Sequence, residues 1–130
     1  MTKRISCSMT VEAVKDRSKT VTRRHVDTWQ TLKAGDRLTI VEKAMGLPKG
    51  AKQVVLAEVE VVDVRVEAIG LIHGMFVNFG FHDEMAREGL PLMAPLEFVE
   101  MWLRTHGYAD RLASSGRGAT PCRRIEWRYL

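Results

Sequence analysis

A chain of 130 residues, 45% hydrophobic and 28% charged, has the make-up of an ordinary globular domain and the length for one modest core. It excludes a helical membrane protein, since no stretch approaches the ~18 apolar residues a crossing needs. A disulfide-stapled secreted module is not expected: Cys7 and Cys122 are the two cysteines, and no apolar run follows Lys3 and Arg4 as in an export leader.

Reduced thiols and a cytoplasmic location are therefore the expectation. Twenty Lys and Arg against sixteen Asp and Glu leave a net charge of +4, compatible with a polyanion partner. The excess is uneven. Lys15 to Arg24 and Arg111 to Arg128 are basic, whereas Glu84 to Glu100 is acidic, so two segments far apart in sequence can build one positive face.

In chain order, Ile5, Cys7 and Met9 alternate with polar residues and predict a short first strand. Thr10 is placed to N-cap a brief helix through Val11, Ala13 and Val14. Asp16-Arg17-Ser18 then delivers the chain into Lys19-Thr20-Val21-Thr22-Arg23-Arg24, where three cations alternate with two hydroxyls. Successive side chains of an extended backbone point to opposite faces. Thr20, Thr22 and Arg24 thus form a donor-rich row able to hold an anion or a nucleobase edge, with Lys19, Val21 and Arg23 opposite. The same six residues also suit a solvated edge strand guarded by charge.

Trp29 and Leu32 precede a turn at Ala34-Gly35-Asp36, and Leu38 to Glu42 reads as a strand. Met45 to Lys52 reads as a hairpin loop. The valine-dense stretch Val54 to Glu67 is the strongest strand signal. Within it Glu58 and Glu60 point one way, and Asp63, Arg65 and Glu67 the other, which predicts a bulge or barrel corner midway. A long bent strand suits a small closed barrel.

Gly70 to Gly80 is apolar and irregular. Asp83 to Glu88 predicts a short helix closed by Gly89. Pro95 opens another, with Phe98, Met101 and Trp102 at helical spacing and Gly107 at its end. Ser114 to Gly118 reads as a mobile loop, and Ile125, Trp127 and Tyr129 mark a final strand. Both cysteines lie in strand-like segments near the two ends and become neighbours if the first and last strands pair. The expected fold is one α+β, mostly β domain over residues 1–130: a small barrel flanked by two or three helices.

Ile5-Ser6-Cys7-Ser8-Met9, Lys19 to Arg24, Gly35-Asp36, Arg87-Glu88-Gly89 before a Phe-containing helix, and Arg124-Ile125-Glu126-Trp127 together resemble the ASCH domain, of the PUA-like superfamily, in its small stand-alone bacterial and phage form. The signature is a glycine, one residue, a lysine, four residues and an arginine. Lys19 and Arg24 take the last two positions, while Arg17 stands in place of the glycine. The resemblance implies a PUA-like β-barrel with a cleft that binds RNA or a nucleotide. Some small members are metal-free amidohydrolases of N4-acetylcytidine that use a Lys, a Thr and a Glu. Those roles fall on Lys19, Thr22 and Glu88. A phage accessory protein acting by protein contact is a further possibility.

The chemistry is consistent with either activity. A buried Lys19 beside Arg24 gives up its proton more readily and can activate the Thr22 hydroxyl, with Glu88 orienting the lysine or protonating the departing amine. Alternation opposes this, because residues three apart on a regular strand face opposite ways. Arg24 can grip a phosphate or a base carbonyl with two hydrogen bonds, or bridge to Glu88. Trp29 can stack on a base or close the core. Trp102 and Trp127 read as packing, and Arg123, Arg124 and Arg128 as solvated surface. His25, His73, His82 and His106 form no metal-ligand spacing with one another or with the cysteines, so neither a metal nor another cofactor is expected.

Overall fold

The computed structural model describes residues 3–43, 46–73 and 83–130. Five strands form one sheet: β1 (Lys3–Ser6), β2 (Val21–His25), β3 (Arg37–Val41), β4 (Val55–Ala68) and β5 (Pro121–Tyr129). Helix α1 (Val11–Lys15) lies between β1 and β2, and α2 (Asp83–Arg87) and α3 (Pro95–Thr105) between β4 and β5. The strand order is β1-β3-β4-β5-β2. β1 runs parallel to β3, and every other pair is antiparallel. Met45 and the greater part of the Gly70–Gly80 stretch lie outside the described residues.

The expected closed barrel is a curled half-barrel. Its edge strands, β1 and β2, do not pair with each other; a side chain spans the gap, the Arg24 guanidinium donating to the Ser6 carbonyl. The outer edge of β2 is covered instead by α3, whose Trp102 indole N–H donates to the Arg23 carbonyl at 3.0 Å. An edge carbonyl satisfied this way no longer recruits another strand. The first strand is also shorter than the alternation suggests, ending at Ser6, although the Cys7 amide still reaches the Val41 carbonyl at 2.9 Å.

The predicted break in β4 is present as a register shift between Val61 and Asp63 opposite β5. Before it, Val59 and Val61 pack with Ile125 and Trp127 in a first core that also holds Ile5, Leu38 and Ile40. Beyond it, Asp63, Arg65 and Glu67 pair with Glu126, Arg124 and Cys122. The far side of the sheet meets the helices in a second core of Ile69, Met85, Phe98, Val99, Trp102, Leu103 and Cys122. Each cysteine is buried in its own core and unpaired. They do not meet because β1 pairs with β3 and not with β5.

α3 forms where the local signals place it. Pro95 occupies its first turn, and Glu97 accepts from the Ala94 amide at 3.3 Å, one half of a capping box. Phe98, Val99, Trp102 and Leu103 are its buried stripe. The chain leaves α2 and α3 through Gly89 and Gly107, with φ of 86° and 85°, the left-handed conformation that favours glycine at helix ends. The loop expected from Ser114 to Gly118 contains the start of a 3₁₀ turn, Arg117–Ala119. No helix among the described residues is long and apolar enough to cross a membrane.

Candidate functional site

A cavity of ≈ 170 Å³ opens beside the outer edge of β2. Lys19, Thr22, Arg23 and Arg24 form one wall, Ser6 to Thr10 a second, and Glu88 and Leu90 a third. Phe98, Met101, Trp102, Thr105 and His106 of α3 complete it. Because β2 is an edge strand, residues from both of its faces reach the cavity.

Lys19 arrives there through an irregular turn rather than as part of the strand. Arg17, the residue at the signature's glycine position, has a φ of 66°, a left-handed conformation that costs an L-residue roughly 1–2 kcal/mol. This turns the chain back from α1, and the Lys19 amide bonds the Ala13 carbonyl at 3.0 Å while the Thr20 amide bonds the Arg87 carbonyl at 2.8 Å. Regular alternation begins only at Val21, so Lys19 and Thr22 share the cavity despite being three apart.

Lys19 is 3% exposed. Its ammonium donates to the Glu88 main-chain carbonyl and stands 3.7 Å from the Glu88 carboxylate. Burial pushes its pKa below the usual lysine range; Glu88 opposes this, and the charges of Arg24 and Arg23 add to it. Thr22 Oγ1 accepts from Arg24 Nε at 3.2 Å. On the α3 side, the His106 ring stacks on Trp102 at 4.1 Å, and its Nδ1 bonds the Trp102 carbonyl at 2.8 Å. Burial leads in holding its pKa below the ordinary histidine value, with the Arg24 charge contributing and the Trp102 carbonyl opposing.

Glu88 is held from behind by Arg23, whose Nη1 lies 2.6 Å from Glu88 Oε2. The same guanidinium reaches Glu84 at 2.6 Å and Glu67 at 3.2 Å. Glu84 also accepts from Arg124 Nε at 2.8 Å, and Arg124 reaches Glu126 at 2.9 Å. The register explains the cluster. Arg23 pairs with Arg124, and Arg124 with Arg65, so three arginines lie side by side across β2, β5 and β4. Like charges directly opposite destabilise a sheet, and the carboxylates of Glu67, Glu84 and Glu88 offset them.

No family model matches this chain. No curated protein matches it either. Among solved structures it is similar to hypothetical protein PH0355, at 16% identity over 100% of both chains with a TM-score of 0.58. It is also similar to protein EF3133 from Enterococcus faecalis, described as DUF984, at 14% identity over 99% of this chain and 79% of that one, with a TM-score of 0.54. Both likenesses concern the fold.

Of the residues expected to form a site, Lys19, Thr22, Arg24 and Glu88 line the cavity, and Thr20 and Trp29 do not. Thr20 precedes the strand, and its backbone joins α2 to β5, the Trp127 amide donating to its carbonyl at 2.9 Å. Trp29, half-buried, packs against the first core. The alternative of a bridge from Arg24 to Glu88 is not what forms: alternation turns Arg24 toward Ser6 and Thr22, and Arg23 takes the carboxylate. Arg124, read as surface, is 2% exposed. A face built jointly from the two basic segments is therefore reduced, since Arg23 and Arg124 turn inward onto the acidic segment. Among the described residues no group of three or more His, Cys, Asp or Glu is arranged to hold a metal.

Proposed function

We propose that this is an ASCH-type, PUA-like module whose cavity takes a single pyrimidine base, presented by a nucleotide or by RNA. The observation that carries the reading is the convergence of Lys19, Thr22 and Arg24 with Glu88, distant from them in sequence, on one cavity of ≈ 170 Å³. A cavity of about 150 Å³ is enough for benzene, so one six-membered ring fits and its sugar must lie at the mouth. Phe98, Met101 and Trp102 supply an apolar wall for the ring. Lys19 supplies a donor for a base carbonyl, and the Glu88 carboxylate is an acceptor for an exocyclic amine. Titration with cytidine and uridine, followed by amide shifts, tests this. Saturable binding that weakens in Lys19→Ala supports the reading, and no binding of either nucleoside or of single-stranded RNA overturns it.

One observation favours a second reading, metal-free hydrolysis of an N4-acylated cytidine. Lys19 is buried, its basicity is lowered, and Thr22 and Glu88 line the same cavity. For this chemistry the Lys19 amine releases the Glu88 carbonyl and takes the Thr22 proton. The Thr22 oxygen attacks the acyl carbon, the C–N bond breaks, and the amine leaves with a proton passed on by Lys19 or Glu88. Water then releases the acyl group from Thr22. Turnover of N4-acetylcytidine that is lost in Lys19→Ala and Thr22→Ala but kept in Thr20→Ala supports this step. Unchanged turnover in either cavity variant removes it.

A further inference from the structure

Of the three cations lining the cavity, two have carboxylate partners. Lys19 faces Glu88, and Arg23 meets Glu88, Glu84 and Glu67. Arg24 has none among the described residues. Its three contacts are neutral: Nε to Thr22 Oγ1 at 3.2 Å, Nη2 to the Ser6 carbonyl, and Nη2 toward Cys7 Sγ at 3.8 Å.

These contacts fix the guanidinium without neutralising it. Nη1 has no hydrogen-bond partner among the described residues, and it is not one of the enclosed unpartnered atoms. It therefore keeps some exposure, with its N–H groups unused by the described residues. Arg23, in the same wall, adds a buried Nε with no partner among the described residues. A partly desolvated cation without a counter-charge is unfavourable for the empty protein, and an anion placed there removes that penalty. The guanidinium is also the group best shaped for phosphate.

We propose that the ligand carries its negative charge beside the base, so that the cavity takes a phosphorylated rather than a neutral nucleoside, with the phosphate on Arg24. This rests on the base-binding reading above and adds the charge state of the ligand. The phosphate can belong to a free nucleotide or to a chain end, and both present the same chemistry to Arg24.

The test is calorimetric titration of the full chain with cytidine, cytidine 5′-monophosphate and a cytidine trinucleotide at low salt. We expect the monophosphate to bind about tenfold more tightly than cytidine, a ratio that falls toward one in Arg24→Gln and stays intermediate in Arg24→Lys. Inorganic phosphate is expected to compete with the monophosphate and not with cytidine, which checks the assignment in the unaltered protein if Arg24→Gln does not fold. Tighter binding of the trinucleotide than of the monophosphate assigns the phosphate to a chain, and the reverse assigns it to a free nucleotide. Equal affinities for cytidine and its monophosphate overturn the proposal while leaving base binding intact. A monophosphate preference that survives in Arg24→Gln does the same. Failure of all three ligands removes base binding and this proposal together.

Discussion

Arg23 Nη1 lies 2.6 Å from Glu88 Oε2, joining positions 65 residues apart with both side chains almost wholly out of solvent. The bond links the sheet to the segment after α2, and so it sets where Glu88 faces Lys19. Arg23 also serves Glu84 and Glu67, and one guanidinium can span three carboxylates because its donors are spread over a planar fork.

Removing that fork takes one cation from each of three buried carboxylates and leaves Lys19, Arg65 and Arg124 to hold them. Arg23→Ala is expected to lower stability by about 3–5 kcal/mol, measured by urea unfolding. Arg23→Lys is expected to lose less, since a single ammonium keeps the charge but cannot reach every acceptor. Equal stability of Arg23→Ala and the unaltered protein would refute a structural role for the cluster.

Glu84 gives the acid dependence. Burial acts to raise its pKa, but hydrogen bonds and charge from Arg124 and Arg23 prevail and bring it from 4.5 down to about 2. A carboxylate with a depressed folded-state pKa contributes stability that is fully present above its unfolded value and is lost as pH falls. At 1.36 kcal/mol per pH unit, the contribution is of the order of 3 kcal/mol, lost between about pH 4.5 and pH 2. Urea midpoints across that range are expected to fall steeply. Glu84→Gln should be less stable near neutral pH, with a shallower acid limb, and an unchanged limb would count against the assignment.

Arg17 holds a conformation that a glycine holds without strain. Arg17→Gly is expected to stabilise the protein by about 0.5–1 kcal/mol, the relief of the left-handed conformation less glycine's greater freedom in the unfolded chain. Arg17→Val is expected to destabilise it, since a β-branched residue tolerates positive φ poorly. Thermal unfolding of the pair checks both signs. A loss in Arg17→Gly would mean that the contact of Arg17 over the Tyr129 ring, at 5.7 Å, outweighs the strain.

Much of the fold was legible because its signals are local. Valine density and the switch of charged residues across Val61 and Asp63 mark a long strand with a break. Pro95, Gly89 and Gly107 punctuate the helices through their own backbone preferences. Lys19, Thr22, Arg24 and Glu88 were put forward by the family resemblance, and all four line the cavity.

Alternation misassigned Thr20 because it presumes an extended backbone from Lys19, two residues before β2 begins at Val21. It also set Arg23 aside as the back of the strand. Tertiary structure alone decided that Arg23 and Arg124 stand in register and take Glu84 and Glu88, because strand pairing is a contact between segments a hundred residues apart. The sequence determined which residues carry charge and where the long bent strand and the glycine-ended helices lie. Only the packed chain determined which charges are spent on one another and which, like that of Arg24, meet no carboxylate among the described residues, because burial and register are properties of neighbours in space.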